Sequence, residues 1–129
     1  MLGAARDARS KAYAPYSGFR VGAALLDGVG RIHTGVNVEN ASYGLTVCAE
    51  RNAVAHAIVA GARDLVGIAV AGPEGGPSVM PCGSCRQVLW EHGPDLTVVV
   101  AGTDGPRLIE LRALLPEAFG GEEPGRRDV

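Results

Sequence analysis

Three cysteines fall in two short segments, Cys48-Ala49-Glu50 and Pro81-Cys82-Gly83-Ser84-Cys85-Arg86-Gln87. Cys82 and Cys85 have the C-x-x-C spacing with which two thiolates grip one zinc ion, and Cys48 is the only other cysteine in the chain. Three protein ligands leave a tetrahedral zinc one open position, the arrangement of catalytic rather than structural sites. A metal so held lowers the pKa of a bound water towards about 7 and makes it a usable nucleophile. Glu50, two residues after the lone cysteine, completes the pattern. Two plainer readings compete. A single cysteine is commonly a small buried hydrophobe, and a C-x-x-C at a helix start in an α/β protein can be a redox pair. The redox reading explains Cys82 and Cys85 and leaves Cys48 and Glu50 idle.

The elements that must position these groups can be read along the chain. Leu2, Ala5, Ala8, Ala12 and Tyr13, spaced among charged residues, predict an amphipathic helix over 2–14 that Pro15 stops. Phe19 to Leu26 reads as a strand, turned at Asp27-Gly28 into a second strand from Arg31 to Val38. Asn37 to Leu45 has no periodicity and reads as a loop. Ala49, Ala53, Ala57 and Ala60 give the stretch from Cys48 to Gly61 a small-faced helix that can pack closely.

Leu65 to Ala71 and Leu96 to Ala101 are continuous apolar runs, expected as buried strands. Between them lie a Gly/Pro-rich loop over 72–77 and a helix from Gly83 to His92, closed by Gly93-Pro94. Ile109 to Leu115 reads as a short final helix and Gly120 to Val129 as a loose tail. Alternating helices and strands after a hairpin point to a mixed sheet with helices on both faces. The cysteines then stand at helix N-termini, where the dipole and free N–H groups favour thiolate over thiol.

The bulk properties narrow the function. A chain of 129 residues is expected to form a single domain spanning 1–129. Its net charge of −2 supplies no basic stripe for nucleic acid and suits a small, nearly neutral substrate. No run approaches the roughly 18 to 20 apolar residues needed to span a bilayer, and the mixed charges near Met1 do not suggest a signal peptide. An odd cysteine count fits a reducing cytoplasm better than a disulfide framework.

Four segments, taken together, carry a family resemblance. Phe19-Arg20-Val21-Gly22-Ala23-Ala24, Asn37-Val38-Glu39-Asn40-Ala41-Ser42-Tyr43, Cys48-Ala49-Glu50-Arg51 and the Pro81–Gln87 segment resemble the short, homotetrameric cytidine deaminases. The likeness runs in order from about Ala12 to Phe119. It implies a single three-layer α/β/α domain with a mixed five-stranded sheet, followed by a tail over 119–129. It also implies one zinc per chain, and hydrolysis of cytidine and deoxycytidine to the uracil nucleosides plus ammonia, as in pyrimidine salvage. A deaminase of a nucleoside-like antibiotic or another cyclic amidine is the alternative within the same fold.

By the same resemblance each motif residue has an expected role. Cys48, Cys82 and Cys85 hold zinc, and Glu50 shuttles protons without binding the metal. Arg51, helped by Arg86, offsets the charge of the sulfurs. The Ala49 N–H holds the pyrimidine O2, Phe19 faces the ring, and Asn37 and Glu39 hold the ribose hydroxyls. Tyr43 and Phe119 reach into a neighbouring subunit's pocket, so that sites are shared across the tetramer. Ser84 and Gln87 fit an S-x-x-Q capping box and are expected to serve the helix start. His33, His56 and His92 lie outside the motifs and are expected to be surface or packing residues. Ser84 stands where alanine is frequent in the family, and the tail after Phe119 departs from its pattern.

Overall fold

A computed structural model describes residues 1–120 of the chain. Its elements run α1 (Leu2–Arg9), β1 (Gly22–Asp27), β2 (Ile32–Val36), α2 (Ala49–Val59), β3 (Leu65–Ala71), α3 (Gly83–His92), β4 (Thr97–Gly102), β5 (Gly105–Glu110) and α4 (Leu111–Leu114). The sheet order is β2-β1-β3-β4-β5. Only β3 and β4 are parallel to each other; β1 runs antiparallel to both β2 and β3, and β5 antiparallel to β4. This is the expected mixed sheet.

Side-chain alternation explains the layers. In β1, Ala23 and Leu25 point into one core while Ala24 points to the other face. The larger core joins those residues to Val54 and Ala57 of α2, Ile68 and Val70 of β3, Leu89 and Trp90 of α3, and Val98 and Val100 of β4. On the opposite face, α1 lays Leu2 and Ala5 against Ala24, Ala69 and Ala71. Because β3 is covered on both faces, its sequence reads as an unbroken apolar run. No helix among the described residues is long and apolar enough to cross a membrane.

Several expected boundaries move. The first helix ends at Arg9 rather than near Tyr13. Tyr13 instead pairs with Val38, donating its N–H to the Asn37 carbonyl and accepting from the Glu39 N–H. Tertiary pairing outbids the local helical spacing there. β1 begins at Gly22; just before it the Asn37 side chain ties the Val21 N–H and the Phe19 carbonyl, and the Val21 carbonyl accepts from the Asn37 N–H. β5 is not among the expected strands: its Gly-Pro start and exposed edge position hide the pattern. It takes the beginning of the final helix, which shrinks to Leu111–Leu114. The loose tail expected over 120–129 lies, beyond Gly120, outside the described residues.

The β1–β2 turn is pinned by one carboxylate. Asp27 accepts from the N–H groups of Val29 and Arg31, from Arg31 Nε at 2.9 Å, and faces His33 Nε2 at 2.9 Å. His33, with burial opposing and the Arg31 and Val29 groups assisting, holds the Asp27 carboxyl well below the usual carboxylate range. His33 is buried, and His56 Nδ1 lies 2.9 Å from the Thr34 carbonyl oxygen. His33 is thus a packing residue and His56 an exposed surface one.

Helix α2 rests directly on β2 at Gly35. A Cβ there would overlap the Ala53 nitrogen and the Ala49 oxygen, both helix backbone. Backbone cannot yield as a flexible side chain can, so Gly35→Ala is expected to cost about 3 kcal/mol and lower the melting temperature by roughly 10 °C. Circular dichroism melts check this. A change under about 2 °C would mean that the helix is not seated on the strand in this way.

Candidate active site

The site assembles where β1 begins and β2 and β3 end, the level at which Gly22 pairs with both Val36 and Ala71. Cys48 is the N-cap of α2, Cys82 is the N-cap of α3, and Cys85 lies in the first turn of α3. The three sulfurs lie within 4.8 Å of one another, with Cys82 Sγ and Cys85 Sγ 3.5 Å apart. Cys85 is buried, Cys48 half-buried and Cys82 exposed. Thiolates on one tetrahedral zinc, each at about 2.3 Å, would stand about 3.8 Å apart. The spacing fits such an ion without refolding either helix.

Charge makes the same point. Two unit charges 4.8 Å apart repel by roughly 3 to 4 kcal/mol at an effective dielectric of about 20. Helix N-termini return only about 0.3 to 1 kcal/mol each. Three thiolates therefore need a cation among them.

The individual thiols show how the balance falls. Burial pushes the Cys85 thiol far up, with the Glu50 carboxylate adding to it, and burial likewise pushes Cys48 up. Cys82 alone moves down: burial opposes ionisation, but the backbone N–H groups of Cys85 and Ser84 and the neighbouring thiols outweigh it. The expectation that helix starts favour all three thiolates thus holds for Cys82. At Cys48 and Cys85, desolvation is larger than the dipole effect.

Glu50 sits in the first turn of α2 with 4% of its surface exposed. Burial raises its carboxyl, while its own N–H, the Cys85 thiol and the Arg51 charge pull the other way. Residues two apart diverge on a regular helix, but Cys48 is the non-helical cap, and the Glu50 carboxylate is near enough to act on its thiol. Arg51 donates Nη2–H to the Thr46 carbonyl at 3.2 Å. Its buried Nε–H has no hydrogen-bond partner among the described residues. Burial works against the guanidinium, and the Cys48 and Cys85 sulfurs overcome it and keep the group charged. An orphan donor beside sulfurs is what a set of metal-bound thiolates would accept from.

Arg86 differs from expectation. It donates Nε–H to the Pro81 carbonyl at 2.7 Å and Nη1–H to the Leu114 carbonyl at 2.9 Å, so these donors brace the backbone instead of offsetting sulfur charge. The capping box is also replaced. The cap is Cys82, two residues before Ser84, and Gln87 donates to the Phe119 carbonyl.

A cleft of about 430 Å³ is lined by Tyr16, Ser17, Glu39, Asn40, Tyr43 and Thr46. Glu39 accepts from the Tyr16 and Ser17 N–H groups and from the Ser17 hydroxyl, and this hydroxyl holds its carboxyl below the ordinary range against the effect of burial. Ser17 Oγ also accepts from the Phe19 N–H at 2.9 Å. Asn37 is buried, accepting from the Val21 N–H at 2.9 Å and donating to the Phe19 carbonyl at 2.8 Å. One lone pair and one N–H of its amide remain.

The Val38–Val47 bridge brings this strip beside Cys48. Phe19 is part-exposed near Gly72, at the end of β3. Ala49 is the first helical residue of α2, where an N–H lacks an intrahelical partner. Tyr43 stands 78% exposed, edge-on to Tyr16 at 6.4 Å, and Phe119 is 74% exposed. Neither is folded into its own chain's core. Ser17, which ties Glu39 to Phe19, was not found from sequence; a serine in a Tyr-Ser-Gly turn carries no signal beyond the turn itself.

Residues 1–101 match the model of the cytidine and deoxycytidylate deaminase zinc-binding region. The chain is 50% identical over 118 residues to the cytidine deaminase of Halalkalibacterium halodurans, covering 90% of this chain and 89% of that one. It is 48% identical over 121 residues to the cytidine deaminase of Mycobacterium tuberculosis, covering 93% and 87%. The crystal structure of cytidine deaminase from Burkholderia pseudomallei superposes with a TM-score of 0.84 at 51% identity, covering 92% of this chain and 95% of that one.

The buried Arg51 donor leads to a direct test. Arg51→Met keeps the bulk and removes the charge facing the sulfurs, and is expected to weaken zinc retention by about 10- to 100-fold. Competition with a chromogenic chelator measures this. Retention equal to the parent would show that Arg51 does not balance the thiolates.

Proposed function

The chain belongs to the cytidine and deoxycytidylate deaminase family, and from that premise we propose that it hydrolyses cytidine and deoxycytidine to uridine and deoxyuridine, releasing ammonia, in pyrimidine salvage. The observation that carries this reading is the three-sulfur cluster with the buried Glu50 carboxylate beside it. One zinc per chain, held by Cys48, Cys82 and Cys85, would supply the polarisation that makes water nucleophilic near neutral pH.

The remaining work falls to the chain's own side chains. Glu50 takes the proton that the attacking water sheds and places it on N3 of the ring. It then passes a proton to the leaving amino group, so that water's oxygen ends as the ring carbonyl and the amine departs as ammonia. Ala49 N–H holds the ring O2, and Phe19 lies against the ring face. Glu39 accepts from a ribose hydroxyl, and the spare amide groups of Asn37 complete the sugar contact. A carboxylate held ionised in that position repels a phosphate, which favours nucleosides over nucleotides. A redox role for Cys82 and Cys85 is disfavoured because the Cys48 sulfur shares their cluster.

The proposed assembly is a homotetramer with composite sites. The chain has two Phe, three Tyr and one Trp. Trp90 is buried, whereas Tyr13, Tyr16, Phe19, Tyr43 and Phe119 are all exposed on the single chain. Large aromatics left outside a core built of Ala, Val and Leu have their burial still to gain. Closed symmetry would repeat one shared site in every subunit.

Incubation with cytidine, deoxycytidine and cytidine monophosphate, followed by ultraviolet absorbance, tests the substrate class. The nucleosides are expected to turn over and the nucleotide to lag. In the same assay Glu50→Gln is expected to keep its zinc and lose about 10²- to 10⁴-fold in kcat; activity within about threefold of the parent would remove the proton role from Glu50. Mixing inactive Glu50→Gln chains with Phe119→Ala chains checks the shared site. Exchanged tetramers are expected to recover part of the activity, and no recovery despite proven exchange would place Phe119 outside the neighbour's pocket.

A further inference from the structure

We propose that Gln87 and Trp90 are positioning residues that fix where the Phe119 ring stands; this rests on the reading that Phe119 walls a base pocket. The segment after α4 has no ladder or helix of its own among the described residues. It turns at Glu117, a non-glycine residue at φ 51°, in the sparsely populated left-handed region. Such a turn persists where its surroundings hold it.

The holders come from α3. Gln87 Nε2–H donates to the Phe119 carbonyl at 2.9 Å, and Trp90 Nε1–H donates to the Gly120 carbonyl at 2.8 Å. Residues three apart share one helix face, so both donors reach the same stretch of chain. Trp90 is itself immobilised: it is buried, and the Arg112 guanidinium lies 5.2 Å from its ring centroid. With two successive carbonyls tied, the backbone at Phe119 has one orientation, and the direction of its exposed ring is set apart from its own rotamer. Arg86 anchors the near end of the segment at Leu114. The helix that presents Cys82 and Cys85 at its start therefore also aims Phe119 from its later turns.

Trp90→Phe removes the N–H and keeps an aromatic ring, and Gln87→Met keeps length and removes the donor. Each is made in the parent and in Phe119→Ala, with cytidine KM, kcat and the melting temperature measured for all. Each change alone is expected to raise KM by about three- to tenfold, the size of one lost neutral hydrogen bond, with kcat within about twofold. On the Phe119→Ala background neither is expected to shift KM further, because the ring they aim is gone. Equal KM rises in both backgrounds would overturn the proposal, as would a lowered melting temperature with KM unchanged. If Trp90→Phe fails to fold, the half-buried Gln87→Met decides alone. An unchanged KM in Phe119→Ala itself would instead refute the pocket role of Phe119, a result distinct from failure of the clamp.

Discussion

Negative charge packed into one small volume is the constraint around which this molecule is arranged. Three sulfurs within 4.8 Å and a buried carboxylate beside them cannot all ionise unaided. Two helix starts, the inward-facing Arg51 and the proposed zinc are the counterweights, and they are unequal. The helix starts act on Cys82, which is exposed and receives backbone N–H groups. Desolvation governs Cys48 and Cys85, so their ionisation would depend on the proposed zinc and on Arg51. The proposed zinc would thereby hold α2 and α3 together as well as serve chemistry, since its ligands come from both.

Bringing those helices close enough sets the composition of the scaffold. Helix α2 is built on small residues, with Ala49, Ala53 and Ala57 fully buried, and it lies on Gly35 with no room for a side chain. The core takes one aromatic ring, Trp90, and leaves the Tyr and Phe rings outside. The outcome is a surface rich in rings around the cleft, in place of an aromatic-centred interior. Within the proposed tetramer, those rings find their burial in neighbouring subunits and their use around the base.

The polar residues near the cleft serve two purposes. Asn37 spends its amide on the Phe19–Val21 backbone, and Glu39 is cradled by Tyr16 and Ser17. Ribose contacts would use what remains of each group. A substitution at either position would alter the loop that carries Phe19 along with any sugar contact. Ser17, bonded to both Glu39 and the Phe19 N–H, would link the proposed sugar side of the cleft to its base side.

The sequence alone determined the three-cysteine cluster and most of the frame. Cysteine count and spacing singled out the cluster, the apolar run marked Leu65–Ala71, and Gly83–His92 is bounded as read. These signals are local: a ligand spacing, a period and a stop residue all sit in neighbouring positions. What only the tertiary structure decided depends on partners far along the chain. Tyr13 leaves its helix to pair with Val38, and β5 exists because β4 offers it an edge despite its Gly-Pro start. Arg86 and Gln87 turn from sulfur and cap to the carbonyls of Leu114 and Phe119, about thirty residues away. The directions in which Cys48 and Cys85 shift are likewise set by burial, which is a property of the packed chain. Residue identity names the donors and acceptors, and only packing decides which of them meet.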